Sequence, residues 1–166
     1  LSMTTYFSDI TPITWAILAL GAATVFSIVW IFDARTHAEL VKVDITDKEL
    51  QTHRNILAAS LGMEISLVLM FFNPWIMLPF FIAFLITRLV HEFIDELHFH
   101  TDRCTPYEST LHLVMWISVF VKTSAMFLWG FFTQFEGLLD LPWYIFVWGF
   151  IVFGTMGITS YFEWKR

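Results

Sequence analysis

Five long apolar segments dominate the sequence and limit its fold more than any other feature. They run approximately over residues 12–32, 55–72, 74–98, 106–132 and 141–162. An apolar stretch of about 18 residues or more is long enough to cross the hydrocarbon core of a bilayer as a helix. Because lipid cannot hydrogen-bond an exposed backbone, helices are the expected spanning form. The sequence therefore predicts an all-α integral membrane protein: one membrane domain over residues 1–166, built as a bundle of five transmembrane helices.

The composition supports this class and disfavours others. Hydrophobic residues make up 57% of the chain and charged residues 14%, and the mean hydropathy is +0.67. Soluble domains are typically about 45–50% apolar and about 25% charged. The net charge of −6 provides no basic patch for phosphates, so nucleic acid is not an expected partner. The expected partners are the lipid bilayer and either other membrane subunits or further copies of the chain.

Several helix starts are marked by capping residues. Thr46 is followed three residues later by Glu49, a capping box that predicts a second helix beginning about nine residues before its apolar core. The short connection at residues 73–74 predicts that the second and third segments form an antiparallel hairpin. Three further starts pair an N-cap residue with proline at the first helical position: Thr11-Pro12, Asn73-Pro74 and Thr105-Pro106.

Basic residues outside the apolar cores predict the orientation. With five spans, all of them fall on one side of the membrane, and the positive-inside rule makes that side cytoplasmic. The N-terminus is then outside, the C-terminus is cytoplasmic, and residues 33–54 form a cytoplasmic loop. The expected location is a bacterial plasma membrane or the inner membrane of an organelle. The basic residues are Arg35, Lys42, Lys48, Arg54, Arg103, Lys165 and Arg166.

A dense group of ionisable residues between positions 88 and 112 predicts a metal site at the cytoplasmic ends of the third and fourth helices. On a helix, His91, Asp95 and His98 share one face at i, i+4 and i+7. Asp95 and His98 also repeat the i, i+3 carboxylate–histidine spacing of helical di-iron sites. The fourth helix opens with Glu108 and His112 at i and i+4. The predicted metal ligands are His91, Glu92, Asp95, His98, Glu108 and His112.

Mixed imidazole and carboxylate ligands predict one or two ions of iron, zinc, copper or manganese. Haem b is disfavoured. His91 and His112 could ligate one haem from facing helices, but the surrounding acidic density is a poor haem environment. The only cysteine, Cys104, excludes a disulfide framework and a zinc site built on paired cysteines.

The same residues can also be explained without a metal. Thr105 and Glu108 have the spacing of a capping box, which alone would explain Glu108. The side chains of Glu92, Glu96 and His100 could simply be solvated near a helix end. Hydrogen-bonded pairs would also satisfy the cluster: Asp95 with His98, or His91 with Glu108.

Three charges lie deeper, near the middle of the second, third and fourth spans: Glu64, Arg88 and Lys122. A charge at the bilayer centre costs about 2.5–3.5 kcal/mol on insertion scales, so lipid-exposed positions are disfavoured. The simplest prediction is a buried charge network in which Glu64 faces Arg88, Lys122 or both. A proton path or an anion site is the functional alternative.

Three functions follow from these features. The first is a membrane metalloprotein, with redox chemistry on a lipid-soluble substrate or quinone if it is an enzyme. The second is a non-catalytic accessory subunit of a larger respiratory, photosynthetic or transport complex in the membrane. The third is a small proton-conducting or ion-conducting unit that uses Glu64, Arg88 and Lys122. We rank the metalloprotein first, and the sequence supports catalytic and non-catalytic roles alike.

Overall fold

Helices make up the secondary structure of the described chain, and no strand occurs there. The structure, a computed structural model, describes residues 9–40, 46–100 and 105–165, with the backbone alone described at 37–40. Five long helices follow one another, with a 3₁₀ turn at Leu138–Asp140 before the last. They are α1 (Pro12–Leu40), α2 (Asp47–Leu69), α3 (Pro74–Ile94), α4 (Pro106–Thr133) and α5 (Trp143–Trp164); α3 continues as a π-helical turn over Asp95–His100.

Four of the helices in the described residues are long and apolar enough to cross a membrane. They are α1, α4, α5 and the unit formed by α3 with the π turn. This confirms the all-α membrane class. The fifth predicted span, at 55–72, lies largely within α2, which is long enough at 23 residues but begins with polar turns and is not among the four. The orientation of the termini stays a prediction.

The predicted helix starts are confirmed. In each of three caps a side-chain oxygen accepts a backbone N–H three residues on: Thr46 from Glu49 at 3.3 Å, Asn73 from Ile76 at 3.1 Å and Thr105 from Glu108 at 3.3 Å. The fourth start is also as predicted, since α1 begins at Pro12 after Thr11. These bonds satisfy amide groups that have no partner within the helix.

Much of the predicted loop over residues 33–54 is helical. Helix α1 continues past residue 32 to Leu40, and α2 begins at Asp47, as the capping box at Thr46 predicts. Since no glycine or proline follows residue 32 within α1, the end of the apolar run marks a change of surroundings rather than the end of the helix. Four residues used in the predictions lie outside the described residues: Lys42, Cys104, Arg103 and Arg166.

The helices pack as two pairs. Helix α2 runs along α3, as the predicted hairpin requires, and α1 runs along α4. Helix α5 packs mainly on α1. Few contacts join the two pairs by comparison, and the candidate site lies along the space between them.

The apolar core lies at one end of the bundle, where α1 and α5 begin and α2 and α4 end. Met63, Leu67 and Met70 of α2 are fully buried there. Trp129 of α4 packs edge-to-face on Phe135, with ring centroids 5.2 Å apart. The opposite end of the bundle, which we call the polar end, contains most of the histidines and carboxylates of the described residues.

Candidate metal centre

Two overlapping groups of potential metal ligands occupy the polar end. The first group consists of Glu49, His53, Asp95 and His100, and the second of Glu96, His100 and His112. In each group, one potential ligand atom per residue can be chosen so that all lie within 4.8 Å of one another. Helix α2, the π turn and α4 contribute these residues, and the two groups share His100.

The π turn places the shared histidine. With α-helical rotation of about 100° per residue, His100 would lie about 140° around the axis from Asp95. A π turn forms i→i+5 hydrogen bonds and so contains more residues per turn, which returns His100 to the side of Asp95. Both residues are buried, and His100 Nδ1 lies 3.8 Å from Asp95 Oδ2. Such turns are rare and are found frequently at functional sites.

Helix α2 supplies the other half of the first group. Glu49 and His53 stand at i and i+4, so they share one face of the helix. Glu49 is completely buried, and its Oε1 lies 3.6 Å from Nε2 of His100. His53 Nε2 lies 3.1 Å and 3.2 Å from the two carboxylate oxygens of Asp95. Two carboxylates and two imidazoles therefore converge at the junction of α2 with the π turn.

In the second group, His112 lies between two carboxylates. Its Nδ1 is 2.5 Å from Glu96 Oε1, and its Nε2 is 3.1 Å from Oδ1 of Asp33 on α1. A metal-binding histidine commonly donates its second N–H to a carboxylate, which fixes the tautomer. With Nε2–H donated to Asp33, Nδ1 is the ring nitrogen of His112 that could bind an ion, which would replace the proton that Nδ1 shares with Glu96. The ring of His100 is close by, with its centroid 4.9 Å from that of His112.

The charge of this cluster suits a cation. With Asp33 included, it combines four carboxylates and three histidines. Buried carboxylates are costly unless they are paired, hydrogen-bonded or bound to a metal. One or two divalent ions would neutralise much of the negative charge.

Of the six metal ligands predicted from the sequence, Asp95 and His112 belong to these groups, and the two other histidines do not. His91 Nδ1 donates to the Thr87 carbonyl at 2.8 Å, and its Nε2 is 3.0 Å from Asn55 Nδ2. His98 is exposed and lies against the ring of Phe99. The predicted i, i+4, i+7 row assumed α-helical geometry, which ends before His98.

The two predicted glutamates also have other partners. Glu92 forms an ion pair with Arg88, whose Nε lies 2.8 Å from Glu92 Oε1. Glu108 forms the capping box: its Oε2 accepts from the Thr105 N–H at 2.8 Å and from the Thr105 hydroxyl at 3.1 Å. Neither residue belongs to the two groups in the described part of the chain.

The deeper charges form separate pairs rather than one network. Lys122 of α4 forms an ion pair with Oε1 of Glu64 on α2, joining the two helix pairs. Arg88 is paired within its own helix, to Glu92. The second oxygen of Glu64, Oε2, is buried and accepts no hydrogen bond from the described residues.

The sequence did not predict a site role for Asp33, Glu49 or His53, and it left His100 among the residues that could be solvated near a helix end. Glu49 and His53 could have been found, because the capping box at Thr46 already predicts a helix on which they share a face. Asp33 was assigned to a loop, which removed it from consideration. His100 had no signal in the sequence, since its position depends on the π turn.

A cavity of about 320 Å³ connects the cluster with the deeper charges. All five helices line it, and it lies between the α2–α3 and α1–α4 pairs. Apolar atoms form most of its wall, and about half of the lining residues are polar or charged, including the ion pair of Glu64 and Lys122. Five residues of the polar cluster also line it: Asp33, His53, Asp95, Glu96 and His112.

No protein-family model, curated protein or solved structure matches this chain. The findings for this molecule are therefore its membrane-type helices and a cluster of histidines and carboxylates that could hold a metal ion.

Proposed function

We propose that the chain is a membrane metalloprotein that binds one ion, or two ions sharing His100, at the polar end of the bundle. The observation that carries this proposal is the overlap of two ligand groups on one buried histidine. The ligands come from α2, the π turn and α4, and Asp33 of α1 orients His112 through its Nε2–H. Asp95 and His112 retain the role expected from the sequence.

The donor set favours iron, manganese, zinc or copper. Imidazole nitrogen and carboxylate oxygen suit these ions, and the described residues contribute no thiolate to the two groups. Helical bundles that bind two irons or two manganese ions use a similar mixture of inward-facing carboxylates and histidines. This similarity in donor chemistry favours iron or manganese over zinc or copper.

Redox chemistry on a lipid-soluble substrate is the activity that this arrangement supports best. A redox-active ion would supply one-electron steps at the mouth of a mostly apolar cavity. The cavity lies among membrane-type helices and is lined by five residues of the cluster, so a substrate bound in it would lie beside the ion. Ligand sites between the helices of a bundle commonly have this mostly apolar character.

The fifth span and the orientation belong to the same proposal. Helix α2 packs along α3, which would shield its polar residues from lipid, and at about 1.5 Å per residue it is long enough to cross. The positive-inside rule then places the metal centre on the cytoplasmic side. A fluorescent protein that matures only in the cytoplasm, fused to the C-terminus, should fluoresce; a dark fusion with normal expression would contradict this orientation.

Elemental analysis of the purified protein tests the metal centre. We expect about one to two equivalents of metal in protein purified without chelator, and loss of most of it in His100→Ala because both groups use this side chain. His98→Ala is the matched control, since it removes an exposed histidine two residues away and should retain the metal. A metal-free parent protein that also fails to take up added metal would contradict the proposal and favour an accessory subunit. Equal metal loss in both variants would contradict the ligand assignment.

A further inference from the structure

The two ligand groups differ in the number of ligands that the described residues supply. The first group has two carboxylates and two histidines, and the second has one carboxylate and two histidines. In zinc proteins, sites with four protein ligands are typically closed and structural, whereas catalytic sites typically have three and keep a position for water or substrate. The second group therefore has the ligand number of a site that takes an external ligand.

The groups also differ in how far their carboxylates are exposed. Glu49 of the first group is completely buried, and the side chain of Asp95 is 12% exposed. The side chain of Glu96 in the second group is 34% exposed, and both Glu96 and His112 line the cavity. An ion held between Glu96 and His112 would therefore lie at the cavity wall, where a molecule in the cavity could reach it.

We propose that the ion of the second group takes a further ligand from the cavity: a molecule with a nitrogen or oxygen lone-pair donor and an apolar body. The donor atom binds the ion, and the body lies against the apolar part of the wall, within about 320 Å³. The ion of the first group stays closed to this ligand. Two ions bound at once use different nitrogens of His100, which releases its ring proton, as metal binding commonly requires. This inference rests on the proposed metal centre and specifies which of its ions a substrate contacts.

Cobalt(II) makes the external ligand visible, because the absorption spectrum of cobalt changes when its ligands change. We expect the detergent-solubilised protein, emptied with chelator and reloaded, to hold about two equivalents of cobalt, one for each group. The probes 1-methylimidazole and 1-methylpyrrole have nearly the same shape, but only the imidazole has a lone pair for a metal. The imidazole should change the cobalt spectrum in a saturable way, and the pyrrole should not. A two-cobalt protein that responds to neither probe, or equally to both, would overturn the proposal.

A histidine variant assigns the response to one of the two ions. His112→Phe removes a ligand of the second group and leaves the four ligands of the first. We expect this variant to hold about one equivalent of cobalt and to show no response to 1-methylimidazole. His98→Phe makes the same substitution at an exposed histidine outside both groups and should retain the cobalt and the response. A response that persists in one-cobalt His112→Phe would overturn the assignment to the second group.

Two glycines on α5 test whether the apolar body of the ligand lies in the cavity, and they decide the proposal even if His112→Phe does not fold. Gly157 lines the cavity and Gly154 does not, and a Cβ built at either position meets nothing within 4 Å. The parent protein should bind 1-butylimidazole about tenfold more tightly than 1-methylimidazole, because the longer chain buries more apolar surface. Gly157→Leu should fill part of the cavity and remove most of this advantage, whereas Gly154→Leu should keep it. An undiminished advantage in Gly157→Leu would overturn the placement of the ligand.

Metal analysis of the same preparations separates this inference from the proposed function. Two bound ions without a response to 1-methylimidazole overturn the external ligand and leave the metal centre standing. A single bound ion in the parent protein overturns the division between a closed and an open ion and leaves one metal centre. A protein that takes up no metal overturns both proposals.

Discussion

At the polar end, side chains of the same type differ in whether they can contribute to a metal site. His91 and His98 stand close in sequence to His100, yet His91 is held by Thr87 and Asn55 and His98 is exposed. His100 and His112 are buried among carboxylates. Position relative to the other ligands, rather than residue type, thus distinguishes candidate ligands from ordinary histidines.

Asp33 offers a test at the scale of one residue. We expect Asp33→Asn to lower the metal affinity about 10-fold to 100-fold, because the substitution weakens the group that holds the His112 ring by its Nε2–H. Competition with a chromophoric chelator measures this change. Asp140→Asn removes an exposed carboxylate at the opposite end of the bundle and is the control. Unchanged affinity in Asp33→Asn would contradict a role in positioning His112.

Glu108 was predicted from the sequence both as a ligand and as a cap, and substitution distinguishes these roles. We expect Glu108→Ala to retain the metal and to lower the free energy of unfolding by about 0.5–2 kcal/mol, the usual range for a lost N-terminal cap. Thermal unfolding in detergent and metal analysis provide the two measurements. Loss of metal with unchanged stability would restore Glu108 as a ligand.

At the scale of elements, the π turn determines the geometry of the centre. Insertion of one alanine after Leu97, whose side chain is exposed, would place His100 six residues after Asp95. At about 100° per residue the two side chains would then lie about 120° apart around the helix axis. We expect the insertion to turn His100 away from Asp95 and to reduce the metal content as far as His100→Ala does. Leu97→Ala keeps the length of the turn and should retain the metal. Circular dichroism checks that the helix content is preserved, and a metal-loaded insertion variant would contradict this account.

The elements show what the sequence could and could not predict. Caps and turns act locally, so Thr46, Asn73 and Thr105 marked their helices correctly. Hydropathy identified the membrane-type segments but not the full length of α1, since a helix continues past the apolar run wherever its residues permit. The π turn left no periodic signal, because its extra residue interrupts the pattern on which helical spacing relies.

For the whole molecule, the sequence predicted the helical membrane class but not how the helices are arranged. Pairing of α2 with α3 followed from a short connection, whereas pairing of α1 with α4 depends on packing between distant segments. As a result, the approach of Asp33 to His112, 79 residues apart in the chain, could not be foreseen. The sequence placed the candidate site at the end of α3 where the two ligand groups lie, but it did not identify most of the residues that other helices contribute.

Metal removal should destabilise the protein as a whole. A ligand that binds only the folded state stabilises it, by about 2.7 kcal/mol when its free concentration is 100 times the dissociation constant. We expect a chelator to lower the midpoint of thermal unfolding of the parent protein and to leave that of metal-free His100→Ala unchanged. Equal shifts in the two proteins would indicate an effect of the chelator that is unrelated to the site.

The two ligand groups differ in which parts of the bundle they join. The first group draws only on α2 and the π turn, so an ion bound there stays within one helix pair. The second group joins the π turn to His112 of α4, so an ion bound there fastens one pair to the other. The cavity lies between the same two helix pairs. An ion in the second group would therefore hold the pairs together, and the width of the cavity would depend on whether this ion is bound.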